Sequence, residues 1–228
     1  MVKIKLLFAI AIFCQAFAQA QITLGMEVKA GVTGAGLYDN TAPNYYTRSV
    51  AGVQLGTLIS ADFPSGIALE TGLMYMGKNF AYDFKKYPSE SKRKDGAYLR
   101  EQVFNNHYLE VPFNIAYRLR ARKLRFVWKA GPYIATNFAA NTRETWEHYK
   151  DSLFTHVSKK KYTRHIGSKS TDDVKLFDVG FNIGTGIEVE RFTIGIQYGV
   201  GLMDILPSNE AEYLKNRVFV FAVGFRIK

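Results

Sequence analysis

The stretch Tyr108-Leu-Glu-Val-Pro-Phe-Asn-Ile-Ala-Tyr-Arg-Leu119 places an apolar residue at every odd position from 109 to 119. The even positions include Glu110, Asn114 and Arg118, which are polar or charged. Successive side chains of a β-strand point to opposite faces, so this stretch predicts a strand with one apolar and one polar face.

The same alternation recurs along the chain, and we predict eight strands in all. The segments are 24–32, 53–63, 67–75, 108–119, 126–134, 177–189, 192–202 and 219–227. Each has about the 9–11 residues that a tilted strand needs to cross a bilayer.

The connections between these segments alternate in length. Short connections are 63–66, 119–124 and 190–191, and long ones are 34–49, 79–106, 139–175 and 203–216. Outer-membrane barrels show this asymmetry, with short turns in the periplasm and long loops outside the cell. The fold class predicted is therefore all-β: an eight-stranded antiparallel up-and-down transmembrane barrel with both termini in the periplasm.

The N-terminus predicts the compartment. Residues 1–20 combine two early lysines, a short apolar core and the small-x-small end Ala18-Gln-Ala20, which together are typical of a secretory signal peptide. We expect cleavage after Ala20, so that residues 21–228 form the barrel domain. The single cysteine, Cys14, lies in the removed segment, which excludes disulfides and thiolate metal sites from the mature chain.

The formal net charge of +10 would be compatible with nucleic-acid binding in a cytoplasmic protein. An exported protein meets no genome, so we exclude nucleic acid as a partner. We interpret the positive charge as favouring the binding of phosphates, acidic lipids or glycans at a membrane.

Glycine distinguishes a membrane barrel from a soluble one. Thirteen of the 19 glycines fall on the polar face of the predicted strands. Glycine weakens a solvent-exposed strand, but in a narrow barrel it leaves room for long side chains from the opposite wall. Aromatic residues also gather at the ends of the apolar stripes, as expected at the two bilayer interfaces. Both features favour the membrane barrel.

The stretch Tyr108–Tyr117 resembles the "YLEIP" strand of the PorT-like outer-membrane β-barrel family of Gram-negative bacteria. Further family-like pieces follow in order: Gly131–Tyr133, Asp178–Gly186, Tyr198–Leu202 and Asn216–Phe219. The resemblance implies an eight-stranded outer-membrane barrel and a link to protein secretion.

The C-terminus departs from that family. Members tend to end on an aromatic residue that the barrel-assembly machinery reads, whereas Ile227 stands at that position here. We expect the machinery to recognise Phe221 and Phe225 instead.

Charged residues on the polar face of the predicted strands would line the lumen. They are Glu27, Lys29, Asp62, Glu70, Lys78, Glu110, Arg118, Lys129, Asp178, Glu188, Arg217 and Arg226. A selectivity path or proton relay is one interpretation. The simpler one is a paired network that fills the interior, because an eight-stranded barrel is only wide enough for side chains.

Glu110 requires a cation beside it, since an unpaired buried carboxylate is costly. The candidates are Lys78, Lys129 and Arg217, of which the first two lie on strands adjacent to that of Glu110.

A long connection carries a basic group formed by Lys159, Lys160, Lys161, Arg164 and Lys169. At the cell surface these residues could bind lipopolysaccharide phosphates or an acidic partner. A solvated loop without a ligand explains them equally well.

The four histidines, His107, His148, His156 and His165, lie in or beside long connections. His156 and His165 could bind a metal, but no adjacent cluster completes a ligand set, and no nucleophile–base signature accompanies any of the four. We therefore expect no catalytic, metal or cofactor site.

The function predicted is that of a non-enzymatic outer-membrane barrel, either structural or binding a partner or ligand through its extracellular loops. The alternatives are an enzyme acting on lipid or peptide at the barrel rim, and a narrow solute channel. Expected partners are outer-membrane lipids including lipopolysaccharide, the barrel-assembly machinery during insertion, and a protein that the sequence does not identify.

Overall fold

The structure is a computed structural model that describes residues 22–39, 47–84, 93–94, 96–150, 153–207 and 214–227. Within these ranges the regular elements are eleven β-strands. No helix in the described part of the chain is long and apolar enough to span a membrane. The predicted signal peptide, residues 1–20, lies outside the described residues.

The strands are numbered in chain order. They are β1 Thr23–Asp39, β2 Thr47–Asp62, β3 Ile67–Gly77, β4 Asn79–Asp83, β5 Arg93–Lys94, β6 Ala97–Ala121, β7 Leu124–Lys150, β8 Leu153–Thr163, β9 Phe177–Val189, β10 Phe192–Gly201 and β11 Leu214–Ile227.

Eight of these strands form a closed ring. Its order is β1, β2, β3, β6, β7, β9, β10 and β11, with every neighbouring pair antiparallel. The last strand returns to the first, with Met26 opposite Ile227. The ring confirms the predicted eight-stranded antiparallel barrel.

The two ends of the ring differ. The short turns and both described chain ends lie at one end, which we call the turn end. There Thr23 is opposite Asp62, and Phe192 is opposite both Val189 and Phe225.

At the other end β4, β5, β8 and residues 97–107 and 139–150 form a sheet that continues beyond the ring, which we call the projecting sheet. The prediction of loops over 79–106 and 139–175 is therefore wrong for most of their length. β6 and β7 have 25 and 27 residues, well beyond one bilayer crossing.

Sequence periodicity missed the projecting sheet for a physical reason. Outside the bilayer neither face of a strand has to be apolar, so the period-2 hydrophobic signal disappears while main-chain pairing continues. Glu144 opposite Lys160 and Val103 opposite Arg143 show this mixed character.

Within the ring the outward side chains are mainly apolar, whereas the inward ones include the polar and charged residues. On β9, Phe177, Phe181 and Ile183 are 45–58% exposed, whereas Asp178 and Asn182 are at most 4% exposed. This is the reverse of a soluble barrel, whose apolar face points inward, and is typical of a barrel embedded in lipid.

Aromatic side chains cluster at both margins of the outward apolar surface. Toward the turn end Tyr117 stacks on Trp128 with ring centres 6.3 Å apart, and Phe192 meets Phe225 at 5.3 Å. Toward the projecting sheet the margin includes Phe138, 6.1 Å from Tyr75. Such belts are expected where a barrel crosses the two interfaces of a membrane.

Glycine on the inward face allows close approach of neighbouring strands. A Cβ on Gly131 would overlap the carbonyl oxygen of Phe113 on β6, and one on Gly72 would overlap that of Thr57 on β2. The inward glycines therefore let the backbones of a narrow, strongly coiled wall come together, in addition to leaving room for longer side chains.

Candidate functional site

Lys78 is the centre of a buried ion-pair cluster near the projecting end of the lumen. Its Nζ lies 3.2 Å from Oε2 of Glu110 and 3.1 Å from Oδ2 of Asp178. The three side chains are only 1%, 3% and 0% exposed. These residues, the lysine cluster, were all predicted to face the lumen, and Lys78 was one of the candidate partners of Glu110.

Neighbouring polar groups also bond to this cluster. Asn182 donates a hydrogen bond to Glu110 at 2.9 Å, and Asn216 and Tyr133 donate to Asp178 at 2.9 and 3.2 Å. The Lys78 ammonium also lies 4.4 Å from the ring centre of Tyr133. Such support is needed because a buried charge without hydrogen bonds would be strongly destabilising.

A second buried network, the arginine cluster, lies toward the turn end. Arg118 bonds to Asp62 and Glu70, Arg226 bonds to Asp62, and Arg125 bonds to Glu188. Arg226 also lies 3.6 Å from Glu188. The arginine cluster therefore joins three guanidinium groups to three carboxylates through ion pairs.

Between the two clusters Glu27 pairs with Lys29 at 3.5 Å. Both residues and Lys129 line a cavity of about 30 Å³, enough for one or two water molecules. Ten of the twelve charged residues predicted to line the lumen therefore form ion pairs with one another inside the barrel.

Arg217 is a correction to the predicted lumen set. It has the same parity along β11 as the outward residues Phe219 and Phe221, and its guanidinium lies 5.5 Å from the ring centre of Tyr38, which is 42% exposed. Its two chain neighbours, Asn216 and Val218, are the residues that are buried. The polar character of Arg217 led to its assignment to the wrong face.

The two ends of the lumen differ in the residues that line them. At the projecting end Leu37, Phe80, Ala140, Val174 and Ile205 are buried against one another in an apolar plug. Val174 and Ile205 come from the segments that follow β8 and β10. These residues were not identified from the sequence, because the segments carry no periodic signal.

The turn end is open. A cavity of about 590 Å³ there is lined by Arg118, Arg120, Arg125, Arg226 and Asp62 together with turn residues. Arg118, Arg125 and Arg226 are already paired with carboxylates of the arginine cluster.

The predicted basic loop is divided between three environments. Lys159, Lys160 and Lys161 lie on β8 of the projecting sheet and are exposed. Arg164 is half-buried at the plug, with its guanidinium 5.1 Å from the Phe104 ring centre, and burial lowers its pKa. The main-chain N–H of Lys169 donates to Asp172 at 2.8 Å in a separate turn.

On β7 and β8 two histidines lie side by side. The rings of His148 and His156 stack with their centres 4.3 Å apart, and Nε2 of His148 is 2.7 Å from Oγ of Ser158. His165 is in the turn that follows β8, where its main-chain N–H donates to the carboxylate of Asp173. Among the described residues no group of three or more metal-binding side chains comes together.

Comparison with solved structures finds outer-membrane β-barrels of low similarity. Ail of Yersinia pestis is 9% identical over 89% of this chain and 98% of Ail, with a TM-score of 0.39. Neisserial surface protein A is 11% identical over 88% and 96%, with a TM-score of 0.37. The Escherichia coli outer membrane protease OmpT is 8% identical over 91% and 97%, with a TM-score of 0.31. At these values the likeness carries no argument about function.

A search of curated proteins gave no match. A scan against protein families matches residues 17–206 to the family described as "Outer membrane protein beta-barrel domain". That match spans most of the chain and agrees with the closed ring, the outward apolar face and the polar lumen. The chain therefore belongs to the outer membrane protein beta-barrel domain family.

Proposed function

We propose that this protein is a non-enzymatic docking protein of the outer membrane that binds a partner through its projecting sheet. The observation that carries the proposal is β8, whose exposed residues include three consecutive lysines and the apolar pair Leu153 and Phe154, 73% and 55% exposed. Exposed apolar and charged side chains on an ordered strand are typical of a binding surface.

The orientation belongs to the same proposal. Short turns of outer-membrane barrels lie in the periplasm, so the turn end and both chain termini are assigned to that side. The projecting sheet then stands outside the cell. Lipids including lipopolysaccharide would surround the apolar belt, and the barrel-assembly machinery would read the outward residues Phe221 and Phe225.

The PorT-like resemblance of Tyr108–Tyr117 adds a link to protein secretion. A surface-docking protein suits such a role better than a channel does, because the lumen holds the lysine cluster and the apolar plug. Both features disfavour the narrow solute channel.

A surface variant tests the proposal. Changing Lys159, Lys160, Lys161, Leu153 and Phe154 to serine keeps the length of β8 but removes the charged and apolar side chains. After cross-linking in native membranes, proteins that co-purify with the wild type should fall about ten-fold or more with this variant, since several surface contacts are lost together. Quantitative mass spectrometry makes the comparison.

The matched control changes Arg122, Lys123 and Arg191 at the turn end to serine. Both variants must retain heat-modifiable migration on gels, which reports a folded barrel. Loss of the same proteins with the turn-end variant alone, or with neither variant, contradicts docking through the projecting sheet.

The hydrogen bond between His148 and Ser158 favours a second candidate, a hydrolase at the projecting sheet. A distance of 2.7 Å suits a base and a nucleophile. Within the described residues, however, no carboxylate orients the other ring nitrogen of His148. We expect Ser158→Ala to leave hydrolysis of ester and peptide substrates at the wild-type level, measured on the purified barrel. Hydrolysis that disappears with Ser158→Ala and with His148→Ala would favour the enzyme.

A further inference from the structure

β8 is the edge of the projecting sheet. It pairs with β7 along one side, from Asn141 opposite Thr163 to Lys150 opposite Leu153. In the part of the chain that the structure describes, no strand pairs with its other side. An edge of eleven residues with unpaired main-chain groups is a template for another strand.

The register identifies which main-chain groups face outward. The N–H of Arg164 donates to the carbonyl of Ala140 at 2.9 Å, directly beyond the pair of Asn141 and Thr163. In an antiparallel pair these bonding positions alternate along the strand. Residues 158, 160 and 162 therefore bond to β7, and Val157, Lys159 and Lys161 direct their N–H and C=O groups to the free edge.

The side chains at that edge are strongly basic. Lys159 and Lys161 share a face of the sheet with Arg143, which is opposite Lys161. Within the described residues these cations make no ion pair. A strand that paired with Lys159 and Lys161 would place its own side chains directly beside them, where acidic residues are favoured and basic residues repelled.

The lysine charges of β8 also discriminate between the strands that could pair with its free edge. Lysine on an edge discourages pairing with a second copy of the same strand, because the two lysine runs would repel each other. The same lysines attract an acidic strand. They therefore disfavour pairing with a second copy of β8 and favour pairing with an acidic partner.

We propose that β8 binds an acidic, extended segment of a partner protein by adding it to the free edge as a further strand. The inference rests on the proposed docking function and names the chemistry of its partner. Main-chain hydrogen bonds from Val157, Lys159 and Lys161 would provide affinity, and the lysine side chains would select acidic sequences.

The probe is a fluorescein-labelled eleven-residue peptide of alternating Glu and Val, matching β8 in length. A Lys–Val peptide is its matched control. With the purified barrel in detergent micelles, fluorescence anisotropy should show binding of the Glu–Val peptide at least about ten-fold tighter than that of the Lys–Val peptide. Higher salt should weaken the binding.

Two variants at one position separate main-chain from side-chain recognition. Lys159→Ala removes the charge but keeps the outward N–H. Lys159→Pro removes the charge and that N–H without removing a bond to β7, because proline is tolerated where the N–H faces solvent. Lys159→Pro should weaken Glu–Val binding about ten-fold more than Lys159→Ala does.

Amide hydrogen exchange gives an independent readout that charge attraction alone would not change. On addition of the Glu–Val peptide, protection should rise at Val157, Lys159 and Lys161. It should change little at Ser158 and Lys160, whose N–H groups already bond to β7.

Several outcomes would overturn the inference. They are absence of Glu–Val binding, equal binding of both peptides, unchanged protection at the three edge amides, and equal effects of the alanine and proline variants. If lipopolysaccharide displaces the peptide and Lys159→Pro behaves as Lys159→Ala, the lysines bind phosphate and the edge is not used. If the peptide fails but the serine variant of β8 still loses its co-purifying proteins, the inference fails while the docking function stands.

Discussion

Replacement of Lys78 by methionine lowers the free energy of unfolding by about 3–5 kcal/mol, the expected cost of breaking a buried ion pair from one side. The substitution keeps an unbranched side chain of similar length but leaves Glu110 and Asp178 without their cation. Both carboxylates are almost wholly buried, so water cannot compensate for the loss. Urea titration in lipid vesicles, followed by the fluorescence of Trp128 and Trp146, measures the change.

Two controls separate charge from packing. Glu110→Gln should cost less, about 1–3 kcal/mol, because Lys78 keeps Asp178 as a partner. Adding Glu110→Gln and Asp178→Asn to Lys78→Met should recover most of the lost stability, since no charge then remains in the cluster. A triple variant no more stable than Lys78→Met alone would show that shape, and not charge, determines the stability of this site.

Arginine at the middle of the lipid-facing surface has the second large effect. Ile183 on β9 is 58% exposed on the outward face and lies between the two aromatic belts. Ile183→Arg should lower the free energy of unfolding by about 2–4 kcal/mol, because a charge at the bilayer midplane loses its hydration. The same urea titration in vesicles measures this loss.

Position controls complete this experiment. Ile115, 63% exposed on the outward face of β6, should respond to arginine as Ile183 does. Ser168 lies exposed in the segment after β8, and Ser168→Arg should be nearly silent. Equal tolerance at all three positions would contradict the assignment of the outward face to lipid.

The inward and outward faces of the ring strands could be read from the sequence because each ring strand separates two unlike environments. The alternation over Tyr108–Leu119 therefore appears in the structure as buried Glu110 and Asn114 beside exposed Phe113 and Ile115. Arg217 shows the limit of this argument: near the end of β11 a long side chain can lie over an aromatic ring on the outside, and its polarity alone does not reveal its face.

The candidate lumen site was predictable only in part. Sequence adjacency of strands restricted the partner of Glu110 to a few cations, of which Lys78 was one. It could not show that Asp178, 100 residues after Lys78 in the chain, binds the same lysine. That contact depends on the stagger between strands on opposite sides of a closed ring, which the hydrophobic pattern does not encode.

The number of ring strands, the face that each of them turns to lipid, with Arg217 as an exception, and the mixed charge of the lumen could all be predicted from the amino-acid sequence. These follow from local alternation, because the bilayer imposes the same rule on every strand that crosses it. The pairing within the lysine and arginine clusters, the apolar plug and the free edge of β8 became evident only from the folded chain. Each of these features depends on strand register, either beyond the membrane or across the ring. In those regions no single environment requires a regular alternation of apolar and polar residues, so the sequence does not reveal the register.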